Sequence, residues 1–219
     1  MSIPWTDVLD YACVWAASQS SSSTSAEKIV QQLYNNSGFI YDTYAGQSRY
    51  TSFGEGSMNL TLFLSELGST RIVNCYDMGK AITIFANAIG CNASYRYSQP
   101  FGYLNCIKPI GKGWTNNPFY DGYVNGIKVW TDPIVGEDTS WYPTYEKRSY
   151  FGNHAFGSIG DNIYDATLKV DIDGNPDYGP PFSESWATGW NWDTYKSRVV
   201  DNYPSTSTSY PSIYYFSVY

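Results

Sequence analysis

The chain of 219 residues carries 13 basic and 20 acidic side chains and one histidine, for a net charge of −7. That balance excludes the basic face a nucleic-acid partner requires, and 42% hydrophobic against 15% charged residues excludes a disordered acidic chain. The length suits a single domain spanning 1–219 with a core of its own, and no apolar run approaches the ~18 residues of a membrane span.

Pro4, then Trp5, Val8, Leu9, Ala12, Trp15 and Ala16 at helical spacing, predict a first helix. Cys13 is expected on its apolar face as a small buried hydrophobe. The serine-rich stretch 18–25 reads as a loop. Thr24 with Glu27 is a capping-box signal, and Ile29, Val30 and Leu33 form the face of a second helix that closes at 35–38. Residues 39–44 look extended, and 57–67 give a short third helix. The strongest helix follows Cys75: Met78, Ala81, Ile82, Phe85, Ala88 and Ile89 recur every three or four residues, and Gly90 stops it.

After it the pattern turns to strands. Residues 93–97 and 103–110 alternate around a Ser-Gln-Pro-Phe-Gly turn. Residues 111–122 form a loop, 123–130 hold the hairpin dipeptide Asn125-Gly126, and 133–149 are irregular. Two strands, 154–159 and 163–170, cross Gly160-Asp161. Residues 180–211 read as loop-rich with a short helix near 192–200, and 213–219 as a final strand. Helices first and strands afterwards predict an α+β class, with N-terminal helices packed on a mainly antiparallel sheet. Low charge with 22 Tyr points to an extracellular or cell-envelope setting. No secretory signal is visible, since residues 2–10 lack the basic start and apolar stretch of a signal peptide, and Met1 is either a true start or an added start on an excised domain.

Four cysteines stand at 13, 75, 91 and 106. Without a Cys-x-x-Cys pair and with one histidine, a structural zinc is not expected. Cys91 and Cys106 lie in or beside neighbouring strand candidates, so a disulfide and two free thiols are both open.

A cysteine nucleophile needs a base, and the base needs an orienting group. The single histidine forces the choice. His154 opens one strand candidate and Asp165 lies eleven residues on in the next, almost symmetric about the turn. A register pairing them would let the carboxylate hold one ring nitrogen and leave the other facing a thiol. Cys75 sits in the first turn of the strongest helix, where backbone N–H groups and the helix dipole favour a thiolate and can serve an oxyanion. Trp15, Gln47 and Asn59 are candidates for a second oxyanion donor. Asp77 is expected to stabilise the helix start and to point away from Cys75.

Asn74-Cys75-Tyr76-Asp77 opening a helix, followed by Ala81, Ala88, Gly90 and the strand 93–97, resembles the transglutaminase-like superfamily. So do His154-Ala155-Phe156 and Ile163-Tyr164-Asp165-Ala166-Thr167, and the preceding helix with Ile29, Leu33, Tyr34 and Tyr41. The resemblance covers roughly residues 26–170. It implies a papain-like α+β core and a Cys75–His154–Asp165 triad. The chain departs from the family pattern in Phe156, where tryptophan is usual, in the long segment 98–153, and in 171–219, an extension expected to pack on the core.

Asp171, Asp173, Asn175 and Asp177 alternate like the start of a calcium loop, but Pro176 stands where such a loop needs glycine, and Phe182 where it needs glutamate. A polar turn is the simpler reading, and no cofactor is expected. Trp114, Tyr120, Trp130, Trp141, Trp186, Trp190 and Trp192 either line a glycan or peptide groove or pack a loop-rich shell. The expected activity is a cysteine peptidase or amidase acting through a thioester on a peptide, protein or cell-wall amide. The alternatives are an acyl transferase or deamidase, and an inactive binding domain of a larger surface protein.

Overall fold

The computed structural model describes residues 3–52, 57–124, 127–131, 149–173, 180–200 and 212–216, with the backbone path alone for 120–131 and 212–216. The described residues hold five helices and a mainly antiparallel sheet. Helices α1 (Ile3–Trp15) and α2 (Ser22–Asn36) come first, then strand β1 (Phe39–Tyr41), α3 (Leu60–Glu66), β2 (Arg71–Val73) and α4 (Cys75–Ala88). Strands β3 (Ala93–Gln99), β4 (Gly102–Tyr103), β5 (Ile107–Pro109), β6 (Tyr120–Val124), β7 (Ile127–Thr131), β8 (Tyr150–Phe151), β9 (His154–Ile159), β10 (Asn162–Asp171) and β11 (Glu184–Trp190) follow. Helix α5 (Trp192–Val199) and strand β12 (Ser212–Phe216) end the series.

The main sheet runs β11-β10-β9-β3-β12, with β5 also on β10. Helix α4 lies against β9, β3 and β10 on one side and against α1 and α2 on the other. It is therefore buried nearly all round from Cys75 to Ala86, the mark of a central helix. Trp15 of α1 stacks on Phe85 at 5.0 Å. Gly79 lets α4 settle on β9: a methyl group there would meet the Phe156 nitrogen at 3.0 Å and the Ala155 carbonyl carbon at 3.2 Å. Gly157 does the same from the strand side, where a methyl would lie 2.8 Å from Ile82.

Several sequence expectations are corrected. Helix α2 is capped three residues before its expected cap, because the Ser21 hydroxyl accepts the Thr24 N–H and Ser25 and Ala26 turn into the core. Cys13 is exposed, since the buried stripe of α1 runs through Val8 and Ala12 and the next residue lies about 100° around the helix. Residues 93–97 and 103–110 do not pair with each other: β3 is taken by β9 and β12, and β5 by β10. The disulfide left open between Cys91 and Cys106 is not formed. Within 180–211, residues 184–190 form a strand on β10 instead of a loop. The extension from 171 thus joins the main sheet at both ends, through β11 and β12.

The β6–β7 register places Val124 opposite Ile127, around a turn that lies outside the described residues. Of the tryptophans, Trp114 stacks on Phe182 at 4.5 Å, Trp186 meets Tyr34 edge-on, and Trp192 stacks on Phe156. These and Trp190 pack the shell, while Trp141 lies outside the described residues and Tyr120 and Trp130 are described by backbone alone. Asp171 is buried and accepts the N–H groups of Ser183 (2.7 Å) and Asp173 (3.3 Å). Asn175 and Asp177 fall outside the described residues, and no three metal-ligating side chains group together among those described. Among the described residues no helix is long and apolar enough to cross a membrane.

Candidate active site

Asn74 makes the nucleophile position. Its side chain accepts the N–H groups of Tyr76 (3.0 Å) and Asp77 (3.2 Å), and the Asp77 carboxylate reaches back to the Asn74 N–H. This capping box starts α4 at Cys75, whose own N–H finds no acceptor within the described residues. Four residues on, Gly79 allows the close approach to β9, so the first turn of α4 is pressed against the start of that strand.

His154 opens β9 and is wholly buried. The β9–β10 register sets Tyr164 opposite Gly157. Continued by one residue it sets Asp165 opposite Phe156, so Asp165 and His154 meet on a diagonal of one face and not as the direct pair expected from the turn. Their contact is nonetheless short: Nε2 of His154 donates to Oδ2 of Asp165 at 2.7 Å. The other ring nitrogen, Nδ1, is buried without a hydrogen-bond partner, and Cys75 is the second group whose charge bears on the ring. The structure thus brings the Asp165 carboxylate onto one side of the imidazole and the Cys75 charge to bear on it.

The carboxylate is fixed from two further directions. The Thr167 N–H donates to Oδ1 at 2.7 Å, and the Tyr195 hydroxyl donates to Oδ2 at 2.6 Å. Tyr195 belongs to α5, so the C-terminal extension supplies part of the site. Around the imidazole stand Phe101 at 4.8 Å, Phe151 at 6.0 Å and Phe156 at 6.2 Å. Burial in this shell alone would push the His154 pKa down. The charges of Asp165 and Cys75 and the hydrogen bond to Asp165 outweigh it and push it up to about 10.

That shift fixes a pH dependence. The folded protein holds a proton on His154 between about pH 6.5, where a free histidine releases it, and about pH 10. The stabilisation is complete below the lower value and is lost as pH rises through the upper one. In Cys75→Ser, where no thiol proton titrates beside the ring, urea denaturation across that window should give stability falling with pH by up to about 1.4 kcal/mol per unit, and adding His154→Gln should flatten the slope. A Cys75→Ser profile that rises with pH contradicts the assignment.

A cleft of about 670 Å³ opens on Cys75. One rim is the loop 45–48 with Thr51, the other residues 150–153, with Tyr41 and Phe119 in the wall. Buried polar groups shape the loop. Asp42 accepts the N–H groups of Tyr44, Ala45 and Gln47, and Asn74 donates to the Gly46 carbonyl at 2.8 Å. Asp77 accepts the N–H groups of Arg49 (2.8 Å) and Tyr50 (2.9 Å). Burial raises the Asp77 pKa and these N–H groups draw it back. Asp77 is thus committed to the rim loop. Further out, Glu66 grips Arg49 and Arg71 at 2.7 and 2.9 Å.

Of the three candidate oxyanion donors, Gln47 lines the cleft. Trp15 lies on Phe85 between helices and Asn59 caps α3, so neither reaches Cys75. Gly79 and Tyr195 belong to the site but were not singled out from the sequence, and Tyr41, read there only as part of the preceding helix, ends strand β1 and lines the cleft. Spacing four from Cys75 on the helix face was the available signal for Gly79, and nothing marked either tyrosine among 22 for the site.

A scan of protein-family models found no match to the chain, and neither did searches of curated proteins and of solved structures.

Proposed function

We propose that the protein is a cysteine-dependent hydrolase of amide or peptide bonds, built on a transglutaminase-like, papain-like core. The observation that carries the reading is a buried Asp165–His154 pair whose remaining ring nitrogen is unpartnered beside a helix-start cysteine at the floor of a cleft. The Cys75 thiolate, balanced by the His154 imidazolium, attacks the amide carbonyl. The carbonyl electron pair moves to oxygen, where the Cys75 N–H receives it. Collapse breaks the C–N bond, and His154 gives its proton to the leaving amine. Water then attacks the thioester, His154 takes a proton from it, and release of the acid restores thiolate and imidazolium. Asp165 keeps the ring oriented throughout. An amine in place of water would turn the same intermediate into acyl transfer.

The test is alkylation of the folded protein with iodoacetamide from about pH 4 to about pH 9, located by mass spectrometry. Exposed Cys13 is the internal reference. Below pH 7, Cys75 should react about tenfold faster than Cys13, and His154→Ala should erase the difference. A Cys75 profile that tracks Cys13 at every pH removes the proposal.

A further inference from the structure

We infer that the Tyr41 hydroxyl is the second donor of the oxyanion hole, facing the reacting carbonyl together with the Cys75 N–H. The inference rests on the hydrolase reading and adds a residue to it.

Tyr41 ends β1. It pairs in register with Val73, two residues before the nucleophile, and its N–H bonds the Ile110 carbonyl at 2.9 Å. The next N–H, of Asp42, bonds the Val73 carbonyl at 2.8 Å. The backbone that carries the ring is thus tied to the backbone that carries Cys75. The ring is 3% exposed and packs against Phe119 at 5.9 Å and Phe151 at 6.3 Å, nearly parallel to the latter. A side chain buried in this way presents its hydroxyl with little further ordering cost. Tyr41 and Cys75 line the same cleft, and the charge of Cys75 bears on the phenol. Burial first, and then the charges of Cys75, Asp165 and Asp42, hold the phenol well above its ordinary pKa, so it remains a donor at every working pH.

The placement favours the transition state over the ground state. In the free protein the Cys75 charge bears on the phenol. As Sγ bonds to carbon, the sulfur loses its charge and an oxyanion appears on the carbonyl attached to it. A donor in this cleft then meets a compact oxygen charge in place of a diffuse sulfur charge, and its hydrogen bond to oxygen is the stronger, which is the differential binding that accelerates chemistry. Gln47 shares the cleft but its side chain is exposed, where a hydrogen bond is worth less.

Acylation of Cys75 by p-nitrophenyl acetate tests this against alkylation by iodoacetamide. In acylation the S–C bond forms, the carbonyl pair moves onto oxygen, and p-nitrophenolate leaves with the C–O pair. Alkylation displaces iodide at a saturated carbon and makes no oxyanion. Tyr41→Phe should slow acylation about 10- to 100-fold while alkylation changes by less than about threefold. Gln47→Ala should change acylation and alkylation together, without a selective loss of acylation. Equal losses in both reactions, or no loss in either, overturn the inference, as does a selective loss in the Gln47 variant. If wild-type Cys75 is neither acylated nor selectively alkylated, the hydrolase reading falls and this inference with it. Should the phenylalanine variant not fold, incorporation of 3-fluorotyrosine at position 41, a stronger donor, should raise the ratio of acylation to alkylation. An unchanged ratio overturns the inference.

Discussion

Replacing Asp165 with alanine should cost about 3–5 kcal/mol of stability, the usual consequence of removing one partner from a buried charged pair. The reason lies in what the carboxylate satisfies. The His154 Nε2, the Tyr195 hydroxyl and the Thr167 N–H all donate to it, and both histidine and tyrosine are wholly buried. Alanine orphans three donors at once and leaves the imidazole without the charge that raises it. Asp165→Asn separates the two roles. The amide keeps the volume and one acceptor oxygen, so the stability loss should shrink to about 1–2 kcal/mol. The reaction should not recover, because an amide neither orients nor charges the ring as a carboxylate does, and Cys75 acylation should stay about 10³–10⁴-fold down. Urea midpoints and p-nitrophenyl acetate bursts measure the two quantities on the same samples. An asparagine variant that acylates at the wild-type rate shows that the carboxylate has no part in the chemistry.

Gly79→Ala should be the second severe change, and its sign runs against helix propensity. In a free helix interior the exchange stabilises by about 1 kcal/mol. Here the added methyl meets the Phe156 nitrogen at 3.0 Å, the Tyr95 ring at 3.1 Å and the Ala155 carbonyl carbon at 3.2 Å. Two of these atoms are backbone of a strand bonded on both sides, so the helix must give way. We expect a loss of about 1–3 kcal/mol from overpacking. Because Cys75 rides on the same face one turn earlier, a displacement of α4 carries the sulfur away from His154. A shift of that kind costs about 10²-fold in rate. Thermal midpoints and the Cys75 burst check both effects. A variant as stable and as reactive as the wild type places the α4–β9 contact outside the site's construction.

The parts legible in the sequence are those where one physical signal dominates. Helix α4 has regular apolar spacing, a polar cap and a glycine stop, so its start at Cys75 is readable to the residue. The single histidine leaves no competitor as base, and a short turn brings the next strand's aspartate near it. The α+β class with a mainly antiparallel sheet follows from element order. What escaped depends on tertiary context. Residues 184–190 mix glutamate, serine, tryptophan and glycine without alternation, and they become a strand because β10 offers an edge. Tyr195 sits in a short polar helix, and only the fold reveals that its hydroxyl reaches a carboxylate thirty residues away. Cys13 reads as core on helical spacing, yet the helix turns another stripe inward.

The groups that meet at the cleft enter the growing chain far apart: Tyr41 and Cys75 early, His154 and Asp165 late, Tyr195 later still. Contacts of such separation form only after long loops have closed, which is slow. During synthesis at about 5–20 residues per second, the thiol therefore exists for several seconds without its base, and the base without the helix that steadies its carboxylate. On the proposed hydrolase reading, the site is complete only once α5 has been made and the Tyr195 hydroxyl can close on Asp165, so the proposed nucleophile lacks its partners in chains still being synthesised.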